Sequence, residues 1–276
     1  MNETISVVIP SFNRAEILPR ALHSVLRQTR SPDQVIVVDD GSTDGTSDLV
    51  AREFPTVTVL LQENRGVSSA RNLGVASSTC KWIAFLDSDD EWLPEKLQIQ
   101  LNELTRNDGH RVCHCDEFWI RRGVRVNPMK KHRKKGGWIF RDCLPLCVVS
   151  PSAVILERAL LESIGGFDES LPACEDYDLW LRIAAFHPVL FVDMPLLVKY
   201  GGHDDQLSAR YWGMDRFRIR ALENIIEAGR LNPDDYQSAC RMLVRKARIF
   251  CNGARKRNRV EDVRRYEAIC ARYACE

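Results

Sequence analysis

Four short and almost wholly apolar runs, each handing over to a cluster of polar residues, alternate with helix-period segments through the first 107 of 276 residues. The runs are SVVIP (6–10), QVIVVD (34–39), TVTVLL (56–61) and WIAFLD (82–87). A run with no polar face is what a strand covered on both sides requires. Between the runs, EILPRALHSVLRQ (16–28), GTSDLVAREF (45–54) and VSSARNLGVAS (67–77) place apolar residues three and four apart, the period of a helix with one buried face. Strand and helix in such alternation predict an α/β fold: a mostly parallel, Rossmann-like central sheet with helices on its faces and right-handed crossovers. Sheets of this kind bind ligands beyond the carboxyl ends of their strands. The residues to weigh are therefore Pro10, Ser11, Phe12, Asn13 and Arg14 after the first run, Asp39 to Asp44 after the second, and Asp87, Ser88, Asp89 and Asp90 after the fourth.

The last group stands in FLDSDDEW, where an apolar strand ends in four carboxylates within five positions. Carboxylates crowded at a buried strand end repel one another and lose hydration. A hard divalent cation, Mg²⁺ or Mn²⁺, held together with a diphosphate would relieve both. GSTDG after the second strand also has a plainer use, as a turn leading into a helix cap.

Beyond LPEKLQIQLNELTRN (93–107), an amphipathic helix, the regular alternation stops. RVCHCDEFWIRRGVRV (111–126) suggests a hairpin, residues 130–135 are all Lys, Arg or His, and SAVIL (152–156) reads as a strand. ERALLESIGG and EDYDLWLRIAAF (175–186) read as helices, and acceptor recognition is expected in this mixed half. From about residue 214 the chain reads as helices, with Phe217, Ala221 and Ile225 on one face and Leu243, Ala247 and Phe250 on another. The expected division is residues 1–212, made of a nucleotide-binding half (1–107) and an acceptor and catalytic half (108–212), followed by a helical extension at 213–276. That extension is basic: 15 Lys/Arg against 9 Asp/Glu, or +6, where the first 212 residues carry 24 against 29, or −5. A solvated appendage or a contact with an anionic membrane surface would both suit it.

The N-terminus has no basic and apolar leader, and no stretch has the ~20 apolar residues of a membrane span, so the expected place is the cytoplasm or the inner face of the membrane. Ten scattered cysteines read as reduced thiols. Cys113, His114 and Cys115 would need a second Cys/His pair at ligand spacing to hold zinc, and none follows.

VVIPSFNR, VVDDGSTDGT, NRGVSSARNLGV, FLDSDDEW and GGFDESLPACEDYDLWLR, in this order, resemble family 2 of the glycosyltransferases, inverting nucleotide-sugar enzymes of GT-A fold. The resemblance runs from about residue 5 to residue 208. It implies a donor of UDP- or dTDP-sugar type, and a glycan or lipid-linked acceptor. On matching positions it sets Pro10, Ser11 and Asn13 against the nucleoside, and Asp39 and Asp40 at the base and ribose. Gly66 permits close backbone approach, and Arg71 faces the nucleotide. Asp87 and Ser88 stand at the ribose, with Asp89 on the metal. His203 completes the metal or diphosphate site. Asp176 becomes the base that deprotonates the acceptor, with Glu175 beside it. Three other readings fit less well. A sugar nucleotidyltransferase should open its first strand into a glycine-rich phosphate loop, and VVIPSFNR has no glycine. A dinucleotide oxidoreductase needs G-x-G-x-x-G after a strand. A non-catalytic sugar-binding relative would not need Asp87, Asp89 and Asp176 together. Nucleic acid is not an expected partner, because the basic segments lack interleaved aromatic residues.

Overall fold

The computed structural model describes residues 3–126, 133–202, 211 and 213–274. Strand β1 (Ile5–Ser11), helix α1 (Leu18–Leu26), β2 (Gln34–Asp39), α2 (Thr46–Glu53), β3 (Thr58–Leu61), α3 (Val67–Ala76) and β4 (Trp82–Phe85) follow one another as the apolar runs predict. The strands lie parallel in the order β3-β2-β1-β4. Ser11 pairs with Asp39, so the polar ends of β1 and β2 finish level with each other. β1 is buried along its length and β2 nearly so, but β3 is the edge of the sheet and leaves Leu61 69% exposed. The expectation that the third run is covered on both faces is therefore corrected: Thr58 and Leu61 are exposed and Val59 and Leu60 only half-buried. Helix α3 lies tight on β1, where a Cβ on Gly74 would come within 2.4 Å of Val8 Cγ1.

The second half adds β5 (Glu91–Trp92), α4 (Lys96–Arg106), β6 (Val112–Arg121), β7 (Val124–Val126), α5 (Phe140–Cys143), β8 (Val154–Glu157), α6 (Arg158–Ser163), α7 (Glu175–Ala184) and β9 (Leu190–Gly201). The sheet continues β4-β8-β6-β9-β5, with β7 paired to β6 as the predicted hairpin. β8 runs antiparallel to both its neighbours, whereas β9 is parallel to β6 and antiparallel to β5. The sheet is thus parallel from β3 to β4 and mixed beyond β4. Register shifts around Asp116 bend the β6–β9 pair opposite Pro195, which has no N–H to give a ladder.

Three further helices close the chain: α8 (Asp215–Glu227), α9 (Pro233–Lys256) and α10 (Val260–Arg272). Asn232 caps α9 by accepting the Asp235 N–H at 2.9 Å, and Pro233 opens the helix with its preset φ. Ile219, Leu222, Ile226, Leu243 and Ala247 lie in one core with Tyr177, Trp180 and Leu181 of α7. At about 1.5–3 kcal/mol for each large apolar side chain buried, the tail clamps α7 from the side opposite the sheet. No helix of the described residues is long and apolar enough to cross a membrane. Residues 130–132 of the basic stretch, together with His203, lie outside the described residues.

Candidate active site

Ten of the thirteen residues singled out from sequence meet around one cavity of about 490 Å³: Pro10, Ser11, Asp40, Gly66, Arg71, Asp87, Ser88, Asp89, Glu175 and Asp176. Its volume is in the range of small-ligand sites. Asn13 and Asp39 stand behind the lining. Asn13, at φ 53°, donates its N–H to Ser42 Oγ and accepts the Thr43 N–H, each at 2.8 Å, which ties the first turn to the second. Asp39, 2% exposed, accepts the Ser42 N–H at 2.8 Å. Asp40 receives Gln62 Nε2 at 2.6 Å and the N–H groups of Arg65 and Gly66, each at 2.8 Å. One carboxylate thus fixes the loop that opens α3. Gly66 has φ 92°, a conformation costly for any residue with a Cβ.

Arg71 is the keystone of the floor. Buried to 3% exposure, it donates Nη1 to Glu175 Oε1 at 2.8 Å and Nη2 to Asp87 Oδ1 at 2.7 Å, so α3, the β4 end and α7 are held by one guanidinium. Burial opposes its charge, but Asp87 and Glu175 outweigh that and raise its pKa above the ordinary arginine value. For Asp87 burial is likewise overcome, here by Arg71 and Lys199, and the carboxyl titrates below its usual range. Glu175 goes the other way: burial, and then Asp176, push it up against the pull of Arg71.

DSDD is a turn in which the Asp90 N–H donates to Asp87 O. Burial and then Asp87 raise the Asp89 carboxyl, and the opposing pulls of Lys199 and Arg14 are too small to offset them. Asp90 is 1% exposed and is not a helix cap, because α4 begins only at Lys96. Its oxygens accept Ser152 Oγ–H at 2.6 Å and the Tyr200 N–H at 3.2 Å, and burial lifts its pKa to about 8. Glu91 is not a solvated helix start either: it lies in β5 and accepts the Tyr200 hydroxyl at 2.8 Å.

Asp176 follows Cys174, which stands at φ 62° before the first turn of α7. Its Oδ1 accepts the Tyr177 N–H at 2.7 Å and its Oδ2 lies 3.2 Å from Cys147 Sγ. Asp178 is engaged by Arg182, which also donates to Ile164 O and Gly166 O. The GGFDE segment packs its Phe167 inside rather than along the cavity, with Asn72 bonded to both Phe167 O and Phe167 N–H.

Lining residues that went unnoticed in the sequence include Cys147, Lys199, Tyr200 and Arg218. Lys199 could have been suspected as a lone cation near the end of the apolar LLVKYG. It donates to Ser150 Oγ at 3.0 Å and lies 3.9 Å from Asp90 Oδ2. Arg218 had no local signal, since helical arginines are ordinarily on the surface. Among the described residues no three His, Cys, Asp or Glu side chains gather closely enough to hold a metal by themselves. The oxygen donors fit Mg²⁺ or Mn²⁺ in the manner that uses one or two carboxylates plus substrate phosphate, with Asp89 the carboxylate left uncompensated.

The family description "Glycosyl transferase family 2" matches residues 6–164, and "Glycosyltransferase like family 2" matches residues 137–225. An uncharacterized glycosyltransferase of Rickettsia typhi is 30% identical over 209 residues, 74% of this chain and 65% of its own length. One from Rickettsia conorii is 31% identical over 208 residues, 71% of this chain and 33% of its own. The chain therefore spans about two thirds of the length of the first relative and a third of the second. Among solved structures, TarS of S. aureus superposes with a TM-score of 0.67 at 20% identity, over 88% of this chain and 43% of that one. Its 1–349 portion in complex with UDP-GlcNAc gives 0.62 at 17% identity, over 98% and 91%. The structural likeness concerns the fold, while the sequence match extends across β1 to α6 and more than half of the residues. The chain belongs to family 2 of the glycosyltransferases.

Proposed function

We propose that the chain transfers a sugar with inversion from a nucleotide-diphosphate sugar of UDP or dTDP type to a hydroxyl of a glycan or lipid-linked acceptor. The observation that carries this reading is the single cavity in which Asp176, at the start of α7, faces the carboxylates that end β4, with Arg71 joined to both sides. The complex of TarS with UDP-GlcNAc supports the donor class.

On this reading the β1 and β2 ends and the loop held by Asp40 receive the nucleoside, with Pro10, Ser11, Asp40 and Gly66 along its path. Asp87 and Ser88 lie toward the ribose. Asp89, and His203 from outside the described residues, would hold Mn²⁺ or Mg²⁺, whose contribution is to neutralise charge growing on the departing diphosphate. Asp176 Oδ2 takes the proton of the acceptor hydroxyl as it attacks the anomeric carbon. The Tyr177 N–H on Oδ1 keeps that carboxylate oriented. Glu175 holds Arg71 and so sets the distance between the base and the donor. The molecule works at the cytoplasmic face of a membrane, and the exposed Arg241, Arg245 and Arg248 of α9 suit an anionic surface.

Asp176→Asn tests the reading. The variant should keep its melting temperature and its UDP affinity while losing transfer by about 10²-fold or more, the scale of general-base catalysis. Transfer at the unaltered rate would refute the assignment.

A further inference from the structure

Two cations of the tail converge on one carboxylate beside the cavity. Asp215 Oδ1 accepts Arg218 Nη1 and Lys246 Nζ, each at 3.0 Å. Lys246 is 8% exposed and also donates to Pro145 O at 2.9 Å, so it is fully committed to the framework. Arg218 is not. Its Nε is buried with no acceptor, its Nη1 alone reaches Asp215, and its side chain, 26% exposed, lines the cavity next to Met214 and Cys174. The acidic groups whose charge reaches Arg218 include Asp215 and Asp176, whereas those that reach Lys199 are Asp90, Glu117, Asp87 and Asp89. Lys199 Nζ also lies 3.9 Å from Asp90 Oδ2. Lys199 therefore belongs to the DSDD end of the cavity and Arg218 to the Asp176 end.

Asp215 takes only one of the Arg218 donors, and a partly desolvated guanidinium with donors in hand is the side chain best suited to an oxyanion. We propose that Arg218 forms an oxyanion subsite on the acceptor side of the cavity, and that the acceptor carries a phosphate or carboxylate close to the hydroxyl that is glycosylated. This rests on Asp176 marking the acceptor side. It gives the C-terminal helices a share in the site: α8 supplies the residue, and α9, through Lys246, supplies the second charge.

Calorimetry on the full chain tests it with three probes, UDP, glycerol 3-phosphate and glycerol, the last two titrated into the UDP-saturated protein. The unaltered chain should bind glycerol 3-phosphate and not glycerol. Arg218→Met should weaken glycerol 3-phosphate at least tenfold with UDP affinity kept within twofold, and Arg218→Lys should restore part of the loss. Arg218→Met leaves Asp215 paired with Lys246, so the fold should survive, and an unchanged melting temperature checks this. Equal binding of glycerol 3-phosphate to both chains, or none to either, would overturn the subsite. A loss of UDP affinity in Arg218→Met, with uridine affinity kept, would assign the side chain to the donor diphosphate and overturn it too. Failure of the unaltered chain to bind UDP would count against the donor reading, while the phosphate arm, run without nucleotide, still decides Arg218.

Discussion

Replacing Arg71 with Met removes one guanidinium and strands two carboxylates. The side chain is 3% exposed, Glu175 is 6% exposed, and Asp87 is 25% exposed. Taking one partner from a buried ion pair destabilises by about 3–5 kcal/mol, because the remaining charge stays in low dielectric without compensation. Asp87 can recover part of its hydration, so the Glu175 half should carry most of the loss. Methionine retains an unbranched apolar stem beside Phe167, so packing contributes little. The effect must depend on pH in a defined direction. In the intact protein Asp87 titrates below its ordinary value, so the stability it brings is present at neutral pH and is lost as pH falls through that depressed value. Without Arg71 the Glu175 pKa, already raised, climbs further. A carboxyl with a raised folded pKa is harmless below its unfolded value and destabilises as pH rises through the folded one. The deficit of the variant should therefore be smaller near pH ~4.5, where only the Asp87 part remains, and reach its full size by about pH 8. Urea titrations of both chains at those two pH values measure it, with equal m-values confirming that the same surface unfolds. A deficit below about 1 kcal/mol at the higher pH, within the range of exposed pairs, or one equal at both pH values, would refute the keystone role.

Lys96 is fully buried, lies 4.2 Å from the Trp92 ring centroid and has no acceptor for its ammonium; burial lowers its pKa from 10.5 to about 8. The penalty is full below about 8 and fades above, so Lys96→Met should stabilise at neutral pH by up to about 3 kcal/mol, and the gain should shrink toward pH ~10.5; thermal melts giving a constant gain or a loss would refute this. Gly74→Ala should destabilise by about 1–3 kcal/mol despite better helix propensity, and Val8→Ala should rescue it, since the added methyl meets Val8 Cγ1 at 2.4 Å; a double-mutant cycle without coupling would show the contact to be irrelevant. Asp89→Ala should abolish the gain in UDP affinity that Mn²⁺ brings while sparing the metal-free affinity, and calorimetry showing the same gain in both chains would remove Asp89 from the ligand set.

The parallel half of the sheet was legible because its strands are unbroken apolar runs and its helices keep their period; observed and expected limits of β2 coincide, and those of α3 differ by one residue. β3 misled because an apolar run does not reveal whether a further strand covers it. The strand ends brought Asp87 and Asp89 into view by local crowding, and Glu175 and Asp176 by their motif. Lys199 and Tyr200 reach the site through the pairing of β9 with β6 and β5, which no local pattern encodes. Arg218 arrives from a different helix altogether, through a core that joins α7 to the tail. What escaped the sequence is what depends on long-range register and packing.

The Asp40 carboxylate fixes its loop before any ligand binds. With three donors from residues 62 to 66 already converged on it, the side of the cavity proposed to receive the nucleotide needs no ordering step when a donor arrives. Association should therefore run as one concentration-dependent phase near the ordinary range of ~10⁵–10⁷ M⁻¹s⁻¹, and differences among donor sugars should be expressed in how long each complex lasts.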